Sequence, residues 1–85
     1  MSRVLRYEIP VDGEVHTRTV PGGLLHVAAR QPDLVEFWVQ DEGKAMVRQY
    51  TVVGTGYPWP DGAIHLGAAI VPGVRLVWHL LAVPT

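Results

Sequence analysis

The sequence predicts an all-β fold, a small antiparallel sandwich or barrel of about seven short strands. The chain has fourteen valines and three isoleucines but only eight leucines, and β-branched residues favour strands over helices. Nine glycines and seven prolines interrupt the chain at spacings typical of turns between short strands. Apolar and polar residues also alternate in several segments, the period of two that buries one face of a sheet.

The individual strands follow from this alternation and from the turn residues between them. In the first segment Leu5, Tyr7 and Ile9 alternate with charged residues. Clusters of glycine, proline and aspartate separate one segment from the next. The predicted strands are residues 3–9, 15–20, 24–30, 34–40, 45–53, 63–70 and 74–81.

One segment also permits a short helix. Asp33 and Glu36 have the spacing of a capping box, and Gly43 stands where a helix commonly ends. The apolar residues of 34–40 are mainly β-branched or aromatic and alternate strictly, which favours a strand. A short helix within 33–43 is the alternative.

The register of the 24–40 hairpin can be predicted, because a slip of one residue would turn an apolar face to water. Its apolar residues share one face only if an odd number of residues forms the loop. The apolar set is Leu25, Val27, Ala29, Val35, Phe37 and Val39. The opposite face then gathers His26, Arg30, Glu36 and Trp38.

The last hairpin has two possible registers. The Pro-Gly pair at 72–73 suits the centre of a type II turn. A two-residue loop would set Gly67 opposite Trp78, where the ring could cover the bare glycine, and would send His65 and His79 to opposite faces. A three-residue loop centred on the proline would pair the two histidines directly.

Length and composition exclude several classes of protein. With 85 residues the chain is expected to form a single domain, 1–85. Hydrophobic residues make up 48% and the formal net charge is -1, so a disordered chain is excluded. The absence of cysteine removes disulfides, thiolate zinc sites and cysteine nucleophiles. We expect a cytoplasmic protein with no signal peptide and no membrane span.

The segment 54–62 is the most distinctive stretch of the sequence. The segment does not fit a phosphate-binding loop, because Pro58 and Pro60 remove two amide donors and no P-loop lysine follows. Two interpretations remain. The prolines could hold Tyr57 and Trp59 outward as rigid anchors for a partner, or Trp59 could fold back to plug the open end of a small barrel.

Neither a metal site nor a catalytic set is expected. A metal would need His26, His65 and His79 to assemble across strands with an oriented second shell. Asp61 near His65 could supply a base, but Thr55 is the only nearby hydroxyl and no third group orients them. The sequence therefore predicts no cofactor, no metal and no enzymatic activity.

The basic residues leave nucleic-acid binding as an alternative. Six arginines together with exposed aromatics are typical of single-strand binding grooves in small barrels. Eight carboxylates are interleaved with them, and a pI near 6.4 lies far below that of an obligate nucleic-acid binder. Arginines clustered on one face would favour this alternative, and scattered arginines would not.

Several short motifs are spread over residues 3–81 of the sequence. They are Arg6-Tyr7-x-Ile9-Pro10, Leu25-His26-Val27, Glu36-Phe37-Trp38, Val53-Gly54-Thr55-Gly56-x-Pro58-x-Pro60, His65-x-Gly67 and Leu76-Val77-Trp78-His79-Leu80. Together these motifs resemble a family of small all-β proteins from bacteriophages of actinobacteria and from their hosts. The resemblance carries no established activity. It implies a phage or prophage context, in which small β proteins often bind a host protein.

The functional hypothesis is a non-enzymatic module that binds another protein or a copy of itself. Three tryptophans and three tyrosines without a catalytic set motivate it. Edge strands at 15–20 and 74–81 could pair with an equivalent strand and form a homodimer. The expected binding residues are Tyr57 and Trp59 of the loop, and His26, Arg30, Glu36 and Trp38 of the strand face.

Overall fold

A computed structural model describes residues 3–84, and all seven predicted segments form strands. Within this range the structure contains no helix, and hence none long and apolar enough to cross a membrane. The strands are β1 Val4–Pro10, β2 His16–Val20, β3 Leu24–Gln31, β4 Leu34–Gln40, β5 Met46–Gly54, β6 Ile64–Ile70 and β7 Val77–Val83.

The strands form two antiparallel sheets. One has three strands in the order β1-β4-β3, and the other has four in the order β2-β5-β7-β6. No ladder joins the two sheets among the described residues, so the architecture is a sandwich and not a closed barrel.

The core lies between the two sheets. Phe37 is its centre, stacked on Tyr7 at a ring-centroid distance of 5.4 Å and tilted against Tyr50 at 4.8 Å. Gly67 of β6 allows the sheets to approach closely, because a Cβ atom there would lie 2.8 Å from Val27 Cγ2 of β3. Each fully buried large side chain contributes about 1.5–3 kcal/mol to folding.

The segment that permitted a helix is a strand. β4 lies at the centre of its sheet and pairs with β1 on one side and β3 on the other. Asp33 occupies the tight turn before β4, where its carbonyl oxygen accepts a hydrogen bond from the Val11 N–H at 2.9 Å. Cross-strand pairing on both sides outweighs the local capping pattern.

The predicted facing of side chains in the β3–β4 hairpin is confirmed, but the prediction of an odd number of loop residues is wrong. Val27 pairs with Phe37, and His26 pairs with Trp38. A two-residue turn reaches this register because a β-bulge between Ala28 and Gln31 adds a residue to β3.

The prediction for Leu25 is wrong. This side chain was expected on the apolar face, but it is 53% exposed. The register shifts between Leu24 and His26, and this second irregularity turns Leu25 away from the core.

Both predicted registers of the last hairpin are wrong. The connection spans residues 71–76, β7 begins at Val77, and Ala69 pairs with Trp78. A bulge between His65 and Gly67 then shifts the pairing of residues 64–65 with β7 by one residue. Trp78 therefore lies opposite a different glycine, Gly54 of β5.

The prediction that residues 74–81 form an edge strand is also wrong. β7 lies inside its sheet, between β5 and β6. The second predicted edge, β2, is indeed at the edge, and β6 is the opposite one. A homodimer built on β7 pairing is therefore excluded by the position of that strand.

The chain crosses the four-stranded sheet once. β5 and β6 are both antiparallel to β7, so they run parallel to each other with β7 between them. Parallel strands require a connection that returns across the sheet. Residues 55–63, hereafter the crossover loop, supply that connection. The other sheet packs against the inner face, since β3 contacts β6 there. The loop reaches the outer face through the contacts of Thr55 with His79 and of Trp59 with His65.

Candidate functional site

Two tight turns shape the crossover loop. The first closes when the Tyr57 N–H donates to the Gly54 carbonyl oxygen at 3.1 Å, and the second joins residues 60–63 in the same way at 3.1 Å. Each turn has a glycine in the left-handed region as its third residue, Gly56 at φ 90° and Gly62 at φ 76°. With prolines between them, the loop has little conformational freedom.

A hydrogen-bonded pair of histidines fixes the loop to the sheet. Thr55 Oγ1 lies 2.8 Å from His79 Nε2, and His79 Nδ1 lies 3.0 Å from His65 Nε2. The Trp59 ring completes the set, with its centroid 6.1 Å from that of His65. Both histidines thus lie on the outer face, as diagonal neighbours on β6 and β7.

The outer face of the four-stranded sheet is partly buried. Thr51 and Leu81 pair across β5 and β7, and both are buried although their neighbours Val52 and Leu80 face the main core. Thr51 Oγ1 donates to the Glu14 carbonyl oxygen at 3.0 Å, so the chain before β2 also reaches this face. This sheet therefore buries side chains on both sides.

Tyr57 and Trp59 lie at the surface. Tyr57 is 73% exposed and Trp59 is 49% exposed. The Tyr57 ring rests with the Trp78 ring against Gly54, where an added Cβ would meet them at 3.1 and 3.2 Å. Trp59 packs against His65 outside the core, which contradicts its interpretation as a core plug.

An open apolar cavity lies beside these rings. Its volume is about 600 Å³, within the range of ligand pockets. None of its lining residues carries a charge. They are Val11, Gly13, Thr51, Val52, Val53, Gly54, Tyr57, Pro58, Trp59, Pro60 and Trp78.

The second predicted site lies on the outer face of the three-stranded sheet. The His26 and Trp38 rings face each other at a centroid distance of 5.5 Å. Arg30 and Glu36 lie on the same face and form an ion pair. The four predicted residues are therefore brought together, as one aromatic pair beside one charged pair.

Glu36 is the electrostatic centre of this face. It is 2% exposed and accepts two hydrogen bonds from Arg30, at 2.7 and 2.8 Å, and one from Arg6 at 2.6 Å. The bonds from Arg30 and then Arg6 hold the pKa of the Glu36 carboxyl below its ordinary value of 4.5, and Glu36 in turn raises the pKa of Arg30. The carboxylate is thus ionised and fixed at neutral pH.

Sequence reasoning missed Arg6. It belongs to β1, which pairs with β4 although 30 residues separate Arg6 from Glu36. The alternation of Arg6 and Glu8 with apolar residues in β1 was the available signal, since it places both on an outward face. Only the β1–β4 register shows which carboxylate Arg6 meets.

The arginines are distributed over both sheets. Arg6 and Arg30 meet Glu36, and Arg3 pairs with Asp41 at 3.2 Å. On the four-stranded sheet, Arg18 donates to the carbonyl oxygens of Thr17 and Glu8. Carboxylates and carbonyl groups of the protein itself thus bind much of the positive charge.

The three histidines considered for a metal do not meet. His65 and His79 lie on the outer face of the four-stranded sheet, and His26 lies on the outer face of the other sheet. In the part of the chain that the structure describes, no group of three or more histidine, aspartate or glutamate side chains is arranged to hold a metal ion.

Comparison with known protein families gives one match. A family model described as "Domain of unknown function (DUF7352)" matches residues 1–85. The chain belongs to this family. No curated protein and no solved structure matches the chain. Membership agrees with the coarser part of the resemblance above, a family without an assigned activity.

Proposed function

We propose that the protein is a non-enzymatic module that binds another protein through exposed aromatic side chains. One observation carries the proposal. The crossover loop holds Tyr57 and Trp59 at the surface while two turns and a histidine pair fix its backbone.

A fixed loop favours binding because it loses little conformational entropy when a partner binds. A partner that binds a mobile loop must also order it, at about 0.5–1.5 kcal/mol for each immobilised side chain. Here the Tyr57 ring already rests against Gly54 and the Trp59 ring against His65. Tyrosine and tryptophan are also enriched among residues that dominate the binding energy of protein interfaces.

The outer face of the three-stranded sheet is the second surface that we propose for binding. His26 and Trp38 offer an aromatic pair there, and Arg30 is fixed by Glu36. A side chain already held by a salt bridge loses little further freedom on binding. This face and the crossover loop lie on opposite sides of the sandwich, so the two surfaces would contact separate regions of a partner.

We propose a phage or prophage origin and action in the host cytoplasm, on the strength of the sequence motifs. The partner is then a host protein or a second copy of the chain. Nucleic-acid binding is the weaker alternative. Arg6 and Arg30 share one carboxylate and Arg18 lies on the other sheet, so these arginines are not clustered on one face as a nucleic-acid groove would require.

The test compares purification of partners by three tagged proteins, the wild type, Trp59→Ala and Val74→Ala. Val74 is the control because it is also 49% exposed but lies in the connection between β6 and β7, outside both proposed surfaces. We expect a protein retained by the wild type and by Val74→Ala to be lost with Trp59→Ala. Its affinity, measured with purified components, should fall at least tenfold for Trp59→Ala alone.

Two results would contradict the proposal. Trp59→Ala could unfold the protein, as seen by circular dichroism, which would make the side chain structural. Alternatively, Trp59→Ala could keep its fold and bind every partner with unchanged affinity. Binding to single-stranded DNA or RNA that weakens steeply with salt would favour the alternative function.

A further inference from the structure

β5 lacks a neighbouring strand along part of one edge. β2 pairs with β5 only as far as His16 opposite Tyr50, whereas β7 pairs with β5 as far as Gly54. Within residues 3–84, no strand therefore lies beside residues 51–54 on the β2 side. We call this segment of free edge the β5 notch.

A local turn explains why β2 stops pairing there. The Glu14 N–H donates to Asp12 Oδ1 at 2.9 Å. Such a bond between an aspartate side chain and a neighbouring backbone amide competes with strand pairing. The Glu14 carbonyl oxygen accepts from Thr51 Oγ1 instead of from a β5 amide. His16 also bonds to Asp12, at 2.9 Å, and holds the turn in place.

The notch presents the backbone of Val52. The Gly54 carbonyl oxygen turns away from β7 to accept the Tyr57 N–H, and alternate residues of a strand direct their N–H and C=O groups to the same side. The groups of Val52 therefore also face the notch. Among the described residues, no loop backbone group bonds to Val52. The residue is only 5% exposed, and unpaired buried backbone groups are costly.

The notch opens into the apolar cavity of about 600 Å³. Its lining includes Val11 and Gly13 from the chain before β2, and Tyr57, Pro58 and Trp59 from the crossover loop. No charged side chain lines the cavity to pair with a charged group of an occupant, so the cavity favours an uncharged one. The occupant must offer an extended backbone and an uncharged side chain.

From this geometry we propose that the notch binds a short extended peptide segment of a partner protein, which continues β2 alongside β5. One residue of the peptide pairs with Val52 through both backbone groups, and its apolar side chain enters the cavity between Tyr57 and Val11. This inference rests on the proposed function and specifies the partner of the crossover loop, by strand addition.

The notch does not suit an edge strand of a second folded copy. It is closed at one end by the turn at residues 54–57 and at the other by the bond between Glu14 and Thr51. A strand that is part of a sandwich brings its own sheet with it and cannot enter a recess that is closed at both ends, whereas a flexible segment can.

The test uses a capped tetrapeptide of alternating threonine and valine, which matches the length of the notch, and the same peptide with every backbone nitrogen methylated. Methylation keeps the side chains and removes the donors. With the unmodified peptide at saturation, we expect hydrogen exchange of the Val52 amide to slow at least tenfold. We expect the methylated peptide to bind at least tenfold more weakly. Tyr57→Ala should weaken peptide binding at least fivefold, and Leu25→Ala should not.

The inference is overturned if neither peptide binds, if both bind with equal affinity, or if the unmodified peptide binds without slowing exchange at Val52. A protein partner that still depends on Trp59 in any of these cases would leave the proposed function standing. Slowed exchange at Val52 combined with no Trp59-dependent protein partner would support the peptide site and contradict the wider proposal.

Discussion

The outer faces of the two sheets are built in different ways. On the three-stranded sheet, side chains of the sheet itself cover the face, with Arg6 and Arg30 closing over Glu36. On the four-stranded sheet, connecting segments contact the face, with Thr55 of the crossover loop bonded to His79 and the Glu14 backbone bonded to Thr51. One face is closed by charge pairing and the other by chain crossing.

This difference indicates which interactions keep each face in its observed shape. A face closed by side chains on the strands keeps its shape as long as those strands pair. A face closed by a loop depends on the bonds that hold the loop down, here from Thr55 to His79 and from His79 to His65. The binding surface that we propose sits on the second kind of face, where the loop supplies the exposed rings.

The largest expected effect comes from creating a cavity on the buried part of the outer face of the four-stranded sheet. Leu81 is fully buried on the outer face, so Leu81→Ala should lower the free energy of unfolding by about 2–4 kcal/mol. Val47→Ala is the matched control, since Val47 is an exposed residue of the same sheet and should cost less than about 0.5 kcal/mol. Urea denaturation measures both. Equal small losses would show that the loop does not bury this face.

A smaller effect is expected from the charge cluster on the other face. Glu36→Gln keeps the shape of the side chain but weakens its charge-assisted bonds to Arg30 and Arg6. We expect a loss of about 1–2 kcal/mol in the free energy of unfolding at pH 7. The value is below that for a fully buried ion pair because both guanidinium groups reach solvent.

The same cluster predicts a pH dependence. The folded pKa of Glu36 is depressed below 4.5, so its contribution is complete above that value and is lost as the pH falls through the folded pKa. The stability difference between wild type and Glu36→Gln should therefore shrink steadily below pH 4.5. Glu14→Gln is the control, because only the backbone of Glu14 makes bonds in the structure. A difference that stays constant down to pH 3 would contradict the assignment.

Local sequence patterns predicted much of the outer face of the three-stranded sheet and little of the outer face of the four-stranded sheet. β3 and β4 are joined by a tight turn, so the alternation of apolar residues sufficed to place His26 beside Trp38 and Arg30 near Glu36. The arginine from β1 depends on a pairing 30 residues apart, and local alternation carries no information on partners at such distances.

The second face required information that no single segment contains. That β5 and β6 run parallel follows only from the insertion of β7 between them. The loop residues themselves therefore carry no signal that they cross the sheet. The bulge between His65 and Gly67 also altered the histidine register, and bulges leave no clear local signal in an apolar strand. The expected covering of a glycine by Trp78 does occur, but at Gly54.

The smallest expected effect concerns the bonds that hold the crossover loop down. Thr55→Val keeps the shape of the side chain and removes the hydroxyl that lies 2.8 Å from His79 Nε2. Because the site is open to solvent, the free energy of unfolding should fall by only about 0.5–1 kcal/mol. The local effect should be larger, with faster hydrogen exchange at the Tyr57 and Ala63 amides that close the two turns. Thr19→Val on β2 is the control and should leave both amides unchanged. Unchanged exchange in Thr55→Val would mean that the turns and prolines alone fix the loop, and that the histidine pair is not needed to hold Tyr57 and Trp59 in place.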